Sequence, residues 1–402
     1  GANFTARPRP LPRTVAATAP TSGLPVCTAA IISVCSSHWA RATVNCSAWR
    51  AKCCSIRRDT ACRDAAGGVK IPILPDRRKL APGVAPTTEN SITSRAAPWQ
   101  RVSVVVVTHH SRAVIEGCLA GIGDDAEVIV IDNASDDGTP DKARHLSPDA
   151  IIEENTIGVG YGAGANQGLA RVTREFALLA NPDSKVDTVA LERLLDAADV
   201  YPDAALLAPR VLDDGGAYEP AHDIELFRRH LMPSRAREVP PDGPVCADYL
   251  SGAVVLLRMA SFRAIGPFDE AIFLYYEDDD FCMRIRKAGF SAILVPHAQV
   301  NHGGGGSVRP SAHYRWEKYW HMAWSRLYLE QKYHGRAACA AIAWPSLLRY
   351  AAKTLGNVLT AHRAKAWRDL ARLFGTAGYI LRIPASRTVT RARPETANTE
   401  TR

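Results

Sequence analysis

The most informative residues of this chain are four consecutive carboxylates, Glu277 to Asp280, which lie between apolar and aromatic neighbours. The apolar and basic residues that alternate after Phe281 predict a helix beginning at the acidic cluster, where the helix dipole favours negative charge. Apolar surroundings exclude water and raise the proton affinity of at least one carboxylate toward the range of a general base. Four acids alone would favour an acidic cap on a surface helix. The aromatic flanks and the motifs elsewhere reverse that preference.

Polar residues also follow several predicted strands at the point where each strand ends. Ligands of open α/β sheets bind beyond the carboxyl ends of the strands, so these residues are candidates for one binding site. Each has a simpler interpretation as a turn or cap residue, and only the ordered set favours a site. The glycines also resemble a dinucleotide fingerprint, but no acid follows at a strand end about 20 residues on. The set comprises Thr108-His109-His110, Asp132-Asn133, Asn155 with Gly158 to Gly164 and Asn166, Asn181-Pro182-Asp183, and His302.

The hydrophobic pattern from residue 101 onward predicts alternating strands and helices. The uninterrupted β-branched run at 102–107 is typical of a strand buried on both faces of a parallel sheet. The alternation predicts an α/β fold, a doubly wound and mostly parallel sheet with helices on both faces, followed by C-terminal helices. Predicted strands are 102–107, 126–131, 151–152, 176–180, 205–211, 253–258 and 291–295. Predicted helices are 113–121, 137–146, 160–175, 189–200, the one that begins at the acidic cluster, 311–335 and 337–382.

Charge and composition divide the chain of 402 residues into four regions. Residues 1–100 carry 14 Lys and Arg against 4 Asp and Glu and lack periodicity, which predicts a disordered or spurious extension. Residues 101–335 form the predicted catalytic domain, where mixed charges give no nucleic-acid footprint. Residues 336–383 predict a helical region either lying on a membrane surface or packed on the domain. Residues 384–402 predict a disordered tail.

Taken in order, these motifs resemble the family 2 inverting glycosyltransferases with a GT-A fold, of the rhamnosyltransferase-like branch. The similarity runs from the 102–107 strand to Ser307, roughly half the chain, and departs from the usual Thr-Tyr-Asn at Thr108-His109-His110. The matching pieces are Thr108, Asp132-Asn133-x-Ser135-x-Asp137-Gly138-Thr139, Asn155-x-x-Gly158, Gly164-x-Asn166-x-Gly168, Asn181-Pro182-Asp183, Ser251-Gly252-Ala253, Gly266-x-Phe268-Asp269-Glu270, Glu277-Asp278-x-Asp280, and His302 with Gly305-Gly306-Ser307.

The resemblance implies metal-dependent, inverting transfer of a sugar from a nucleotide-diphosphate donor. Asp278 is the implied catalytic base, supported by Glu277, Asp280 and Arg284. Asp183 and His302 are the implied ligands of Mg²⁺ or Mn²⁺, and the imidazole favours Mn²⁺. The implied nucleotide-sugar-binding residues are Thr108, Asp132, Asn133, Asn155, Gly158, Asn166 and Asn181.

The resemblance also implies a donor such as dTDP-rhamnose and a cell-envelope glycan or polyprenyl-linked acceptor. The expected location is the cytoplasm, at the inner face of the plasma membrane, because an exported enzyme would lack its donor. One alternative is a nucleotidyltransferase that forms sugar nucleotides, but that class has a glycine-rich loop where Thr108 to Arg112 has none. The other is a non-catalytic nucleotide-sugar-binding module, which the presence of both Asp183 and Asp278 disfavours.

Overall fold

The computed structural model of the chain describes residues 97–223, 241–303 and 311–385. The predicted extension up to residue 96, the tail from 386 onward and the Gly305-Gly306-Ser307 motif lie outside the described residues. The first element within the described residues is a 3₁₀ turn, Pro98–Arg101, which precedes the predicted first strand. The Trp99 indole in this turn is buried and donates a hydrogen bond of 2.9 Å to Thr188 Oγ1.

One mixed sheet forms the centre of the described structure. Its principal strands run in the order β3-β2-β1-β4-β11-β6-β12-β5. Strands β1 to β4 pair in parallel, and so do β6 and β12, whereas β11 runs antiparallel to both β4 and β6. The strands are β1 (Val102–Thr108), β2 (Glu127–Asp132), β3 (Ile151–Glu154), β4 (Phe176–Ala180), β5 (Ser184–Lys185), β6 (Ala204–Leu212), β7 (Tyr218–Glu219), β8 (His222–Asp223), β9 (Val245–Cys246), β10 (Tyr249–Leu250), β11 (Val254–Arg258) and β12 (Ser291–His302).

Helices cover both faces of this sheet, as predicted. Alternate residues of β1 enter two different cores, with Val104 and Val106 in one and Val105 and Val107 in the other. This arrangement explains the uninterrupted apolar run of β1, since neither face meets water. The helices are α1 (Ile115–Leu119), α2 (Thr139–Leu146), α3 (Tyr161–Leu169), α4 (Thr188–Val200), α5 (Met259–Ile265), α6 (Glu277–Lys287), α7 (Ala312–Leu359) and α8 (Arg363–Ile380).

Two predicted boundaries in the second half were wrong. The strand expected at 291–295 is longer than predicted, because β12 continues to His302 with a shift of its register against β6 between Val295 and Gln299. The helix expected over 337–382 is interrupted, because α7 ends at Leu359 and Ala361 adopts a left-handed φ of 57° before α8 begins. Helix α7 itself bends at Gly335, whose φ of 86° favours glycine. No helix within the three described ranges has the length and hydropathy of a membrane span.

Candidate active site

The ends of β1 and β2 form a rigid polar corner. The Thr108 hydroxyl donates a hydrogen bond of 2.7 Å to Asp132 Oδ1, and both residues are buried. The other Asp132 oxygen accepts the backbone N–H of Ser135 at 2.7 Å. These contacts hold the Asp132 carboxylate at the carboxyl edge of the parallel strands, where the sequence predicted the nucleoside contacts.

Asn133 extends this corner toward the glycine-rich segment. Its amide donates to the Gly160 carbonyl at 3.0 Å, and its Oδ1 accepts the Asn155 amide at 3.1 Å. Asn155 also exchanges two hydrogen bonds with Gln167, at 2.9 and 3.0 Å. The structure therefore brings Thr108, Asp132, Asn133 and Asn155 into one network. The ring of the neighbouring His109 joins it, with Nδ1 2.7 Å from the Asn133 carbonyl oxygen.

The glycine-rich segment lies against the loop that leads to the acidic cluster. Gly160 has a φ of 94°, and a Cβ there would lie 2.4 Å from the Phe273 carbonyl oxygen. The next residue, Tyr161, donates its backbone N–H to that carbonyl at 3.0 Å. Gly158 lies beside the same Phe273 ring. Because residue 160 is a glycine, the start of α3 can lie against the loop that precedes α6.

Asp183 and His302, the two residues predicted to bind a metal ion, lie together across the β5–β12 pair. His302 Nε2 lies 3.4 Å from Asp183 Oδ1, and the side chains are 14% and 3% exposed. The hydrogen bond to Asp183 raises the pKa of His302 above its usual value against the opposing effect of burial. A Cβ on Gly303 would lie 3.7 Å from Asp214 Oδ2, which places a further carboxylate nearby.

This pair fits a hard divalent cation that takes most of its ligands from elsewhere. A carboxylate and an imidazole supply two donors that suit Mn²⁺. Across the described ranges, no group of three or more His, Cys, Asp or Glu side chains is arranged as a metal cage. The remaining coordination positions would therefore be left for diphosphate oxygens and water, as is usual for Mg²⁺ in nucleotide sites.

Asp278 lies in the first turn of α6, which begins at Glu277 as predicted. Its Oδ2 accepts the Gly252 backbone N–H at 2.9 Å and lies 3.4 Å from the Tyr249 hydroxyl. Gly252 belongs to the predicted Ser251-Gly252-Ala253 motif, where a Cβ would lie 2.8 Å from Asp278 Oδ1. Glycine is needed at 252 because the carboxylate packs directly on the backbone.

Tyr161 links the two halves of the site. Burial raises its pKa well above the usual value, and the carboxylates of Asp278, Glu277 and Asp183 raise it further. Its hydroxyl also lies 3.4 Å from the Gly252 carbonyl oxygen. The proposed base and the proposed metal ligand therefore both act electrostatically on one phenol. Tyr161 was not predicted as a site residue, although it directly follows Gly160 of the glycine-rich segment.

Two tyrosines with unusual backbone conformations precede the acidic cluster. Tyr275 and Tyr276 have φ values of 64° and 75°, in the left-handed region that side chains other than glycine rarely adopt. Such conformations cost about 1–3 kcal/mol each and persist only where the surrounding structure enforces them. Here they turn the chain so that α6 begins at Glu277. Nothing in the sequence signalled this turn, because tyrosine is a poor predictor of positive φ.

Glu277 carries the raised proton affinity that the sequence predicted for one acid of the cluster. It is 7% exposed, and its Oε2 has no hydrogen-bond partner within the described structure. Burial raises its pKa well above the usual value, and Asp278 and Asp279 raise it further. Glu277 is therefore held in an environment that favours its neutral form.

Asp280 and Arg284 lie in contact, within a larger ion network that fixes α6 to α7. Asp280 is fully buried and accepts hydrogen bonds from Arg284 Nε at 2.9 Å, Lys332 Nζ at 2.5 Å and the Tyr333 hydroxyl at 2.6 Å. Lys332 also reaches Asp269 Oδ2 at 2.6 Å. The sequence predicted an aromatic-rich helix at 311–335 but gave no sign that Lys332 and Tyr333 contact the acidic cluster.

Two further predicted site residues, Asn166 and Asn181, make hydrogen bonds that connect neighbouring elements of the fold. The Asn166 side chain bonds both backbone groups of Phe268, at 2.8 and 3.0 Å, and so ties α3 to the loop before α6. The Asn181 backbone N–H bonds the Ala253 carbonyl at 2.8 Å, which joins the end of β4 to the start of β11. Their predicted contacts with the donor stay predictions.

Comparison with known proteins agrees with this geometry. The sequence profile described as Glycosyl transferase family 2 matches residues 103–261. An N-acetylglucosaminyl-diphospho-decaprenol L-rhamnosyltransferase of Mycobacterium tuberculosis is 31% identical over 231 residues, which cover 50% of this chain and 75% of that protein. The low-salt glycan biosynthesis hexosyltransferase Agl10 of Haloferax volcanii is 26% identical over 200 residues, which cover 46% of this chain and 62% of that protein.

Among solved structures, a similar one is the mannosyltransferase PcManGT from Pyrobaculum calidifontis in complex with GDP-Man and Mn²⁺. It is 16% identical, with a TM-score of 0.44 over 70% of this chain and 88% of that one. The family assignment rests on the sequence relatives and on the motifs found at the sheet edge. This chain belongs to glycosyl transferase family 2 and is a rhamnosyltransferase-like glycosyltransferase.

Proposed function

We propose that this enzyme transfers rhamnose, with inversion, from dTDP-rhamnose or a similar nucleotide-diphosphate donor to a polyprenyl-diphosphate-linked glycan of the cell envelope. The observation that carries the proposal is the Asp278 carboxylate, which accepts the Gly252 N–H at 2.9 Å where the Tyr161 hydroxyl lies 3.4 Å from the Gly252 carbonyl oxygen. The acceptor class is supported by the name of the mycobacterial relative. Because such donors are made in the cytosol and such acceptors lie in a membrane, the proposed place is the cytoplasmic face of the plasma membrane.

In the proposed reaction, Asp278 acts as the general base. Its carboxylate accepts the proton of the acceptor hydroxyl as the hydroxyl oxygen bonds to the anomeric carbon of the donor sugar. The bond from that carbon to the β-phosphate oxygen breaks on the opposite face, so the configuration inverts and the nucleoside diphosphate leaves. The Gly252 N–H donates to this carboxylate and fixes its direction before the acceptor arrives.

The remaining residues bind and orient the donor. Thr108, Asp132, Asn133 and Asn155 form the proposed nucleoside corner, whose internal hydrogen bonds fix its shape in advance. Gly158 allows close approach of the backbone, and Asn166 and Asn181 are further proposed donor contacts. Asp183 and His302 are proposed to hold Mn²⁺ or Mg²⁺. A bound divalent cation would neutralise the charge that develops on the leaving diphosphate.

The test is a transfer assay with the purified full chain and a synthetic polyprenyl-diphosphate N-acetylglucosamine acceptor. Candidate dTDP-, UDP- and GDP-sugars are supplied in turn with Mn²⁺, and the product is identified by mass and by the configuration of the new linkage. We expect transfer from dTDP-rhamnose and its loss in Asp278→Asn. General bases contribute roughly 10²–10⁴-fold, so a variant that retains more than about a tenth of kcat would refute Asp278 as the base.

Two other results would refute the donor or the reaction class. Faster transfer from a UDP- or GDP-sugar would overturn the dTDP-rhamnose assignment while leaving the transferase activity in place. Release of pyrophosphate from dTTP and a sugar 1-phosphate, without transfer to the acceptor, would instead identify a nucleotidyltransferase. Donor binding without turnover would identify a binding module.

A further inference from the structure

The second part of α7, after the bend at Gly335, carries an exposed stripe of large apolar side chains. Trp344, Leu348, Leu355 and Leu359 are 57%, 72%, 61% and 77% exposed. Successive spacings of four, seven and four residues place them on one side of a helix. We call these four residues the apolar stripe. Scattered exposed apolar residues are ordinary, but a helical row of this length is not.

A different side of the same helix is already occupied by the domain. Cys339 and Ala343 are buried with Leu327, and Tyr379 of α8 packs against this cluster. Nearer its end, α7 is joined to α8 by a hydrogen bond of 3.0 Å from Asn357 to Asp369 Oδ2. Helix α8 thus stabilises α7 without covering the apolar stripe, which stays available to another surface.

The charge around the stripe is strongly one-sided. Residues 335–385 contain eight Lys and Arg and a single acid, Asp369. That acid is buried and paired with Arg368 at 3.1 Å, so the charge offered to solvent is positive. Residues 101–334 have the opposite balance, with 23 Lys and Arg against 34 Asp and Glu. The basic residues are therefore concentrated in the C-terminal helices and are not a general property of the domain.

We propose that the apolar stripe docks on the surface of an anionic lipid bilayer. A helix with one apolar side and basic residues on its other sides lies in the membrane–water interface. Its apolar side chains are then placed among the acyl chains, and its cations among the lipid headgroups. Arg349 and Lys353 are exposed on other sides of the same helical segment, where they add to its positive charge. A second copy of the same helices would instead place positive charge against positive charge.

The same helix connects this surface with the site. The first part of α7 contributes Lys332 and Tyr333, which hold Asp280 in the first turn of α6. Docking of the second part would therefore set the distance and orientation of Asp278 relative to the bilayer. The inference concerns the lipid surface alone and needs neither the donor nor the acceptor assigned above.

The experiment measures binding of the purified full chain to vesicles without any substrate. Phosphatidylcholine vesicles are compared with vesicles that also contain phosphatidylglycerol, by flotation and at rising salt. The apolar variant is Leu348→Gln with Leu355→Gln, and the charge variant is Arg349→Gln with Lys353→Gln. The matched controls are Val200→Gln, an exposed apolar residue at the end of α4, and Arg263→Gln, an exposed cation on α5.

We expect the wild type and both controls to bind the phosphatidylglycerol vesicles, and each double variant to bind at least about tenfold more weakly. Wild-type affinity in the apolar variant would overturn the proposal, as would equal wild-type binding to both kinds of vesicle. A wild type that ignores vesicles but forms oligomers broken by Leu348→Gln with Leu355→Gln would show that a second copy occupies the stripe. Thermal unfolding confirms that the variants are folded. If the apolar double variant is not folded, the single variant Leu359→Gln, near the helix end, replaces it. If the charge double variant is not folded, the single variant Lys353→Gln replaces it.

Discussion

Replacing Lys332 by Met should show how much the ion network around Asp280 contributes to the stability of the protein and to the position of α6. Met keeps much of the length of the lysine and removes its charge. Lys332 Nζ lies 2.5 Å from Asp280, whose side chain is 0% exposed, and 2.6 Å from Asp269. The buried Asp280 carboxylate would lose one cation but keep Arg284 and Tyr333 as partners.

The expected loss in the free energy of unfolding depends on how many hydrogen-bond partners Asp280 keeps. Removing the only partner of a buried charge costs about 3–5 kcal/mol. One hydrogen bond to a charged group is worth about 1.5–3 kcal/mol. Because two of the three side-chain partners of Asp280 remain, we expect a loss of about 2–3 kcal/mol. With a urea slope near the upper end of about 1–3 kcal/mol per molar, the unfolding midpoint should fall by about 1 M.

The pH dependence supplies a second and independent readout. Burial raises the pKa of Asp269, but hydrogen bonds from Lys332 and Tyr328 outweigh it and hold the pKa below its usual value. A carboxyl with a depressed folded-state pKa stabilises the protein above its unfolded pKa, and this stability is lost as the pH falls through the folded value. Without Lys332 the folded pKa rises, so acid unfolding should begin at a higher pH.

The matched control is Lys287→Met. Lys287 Nζ lies 4.4 Å from the centroid of the Tyr333 ring but is exposed and belongs to the last turn of α6. An exposed cation–π contact is worth about 0.5–1 kcal/mol, so this change should shift the urea midpoint much less. Equal shifts in the two variants, or an unchanged acid transition in Lys332→Met, would refute the network as the element that fixes α6.

Four further outcomes can be checked on the same protein. Asp183→Ala should weaken nucleoside-diphosphate binding and remove its dependence on Mn²⁺, measured by calorimetry with and without EDTA. Equal wild-type affinity under both conditions would contradict a metal role. Gly252→Ala should reduce kcat at least about tenfold while the protein stays folded, because its Cβ would displace the Asp278 carboxylate. Glu277→Gln, which mimics a neutral acid, should keep most of kcat; a loss as large as that of a base variant would show that Glu277 reacts as an anion. Deletion of residues 1–96 should leave transfer and thermal unfolding unchanged; loss of cooperative unfolding would show that this segment packs on the domain.

The strands and the helix of the acidic cluster were predictable because their signals are local. The 102–107 strand is apolar on both faces, and the charge pattern after Glu277 repeats with a helical period. The helix that was predicted to begin at the acidic cluster is α6, which begins at Glu277. By contrast, the antiparallel direction of β11 depends on its neighbours β4 and β6, and nothing in the residues Val254–Arg258 encodes that direction.

The convergence of the site residues was predictable in outline and not in detail. Parallel strands end at one edge, so Thr108 and Asp132 were expected to meet, and they share a hydrogen bond of 2.7 Å. Lys332 reaches Asp280 from 52 residues away, through a helix whose sequence resembles an ordinary amphipathic one. Contacts of this kind depend on how α7 packs, which a local pattern does not determine.

The acids of the cluster differ in their surroundings. Four carboxylates in one turn would repel one another if all were charged and equally placed. Asp280 is neutralised by Lys332 and Arg284, and the raised pKa of Glu277 favours its neutral form. Asp278 accepts a hydrogen bond of 2.9 Å from the Gly252 backbone N–H. Burial, ion pairing and a backbone donor thus give three of these four acids different surroundings, which is the basis for proposing different roles for them, with Asp278 as the base.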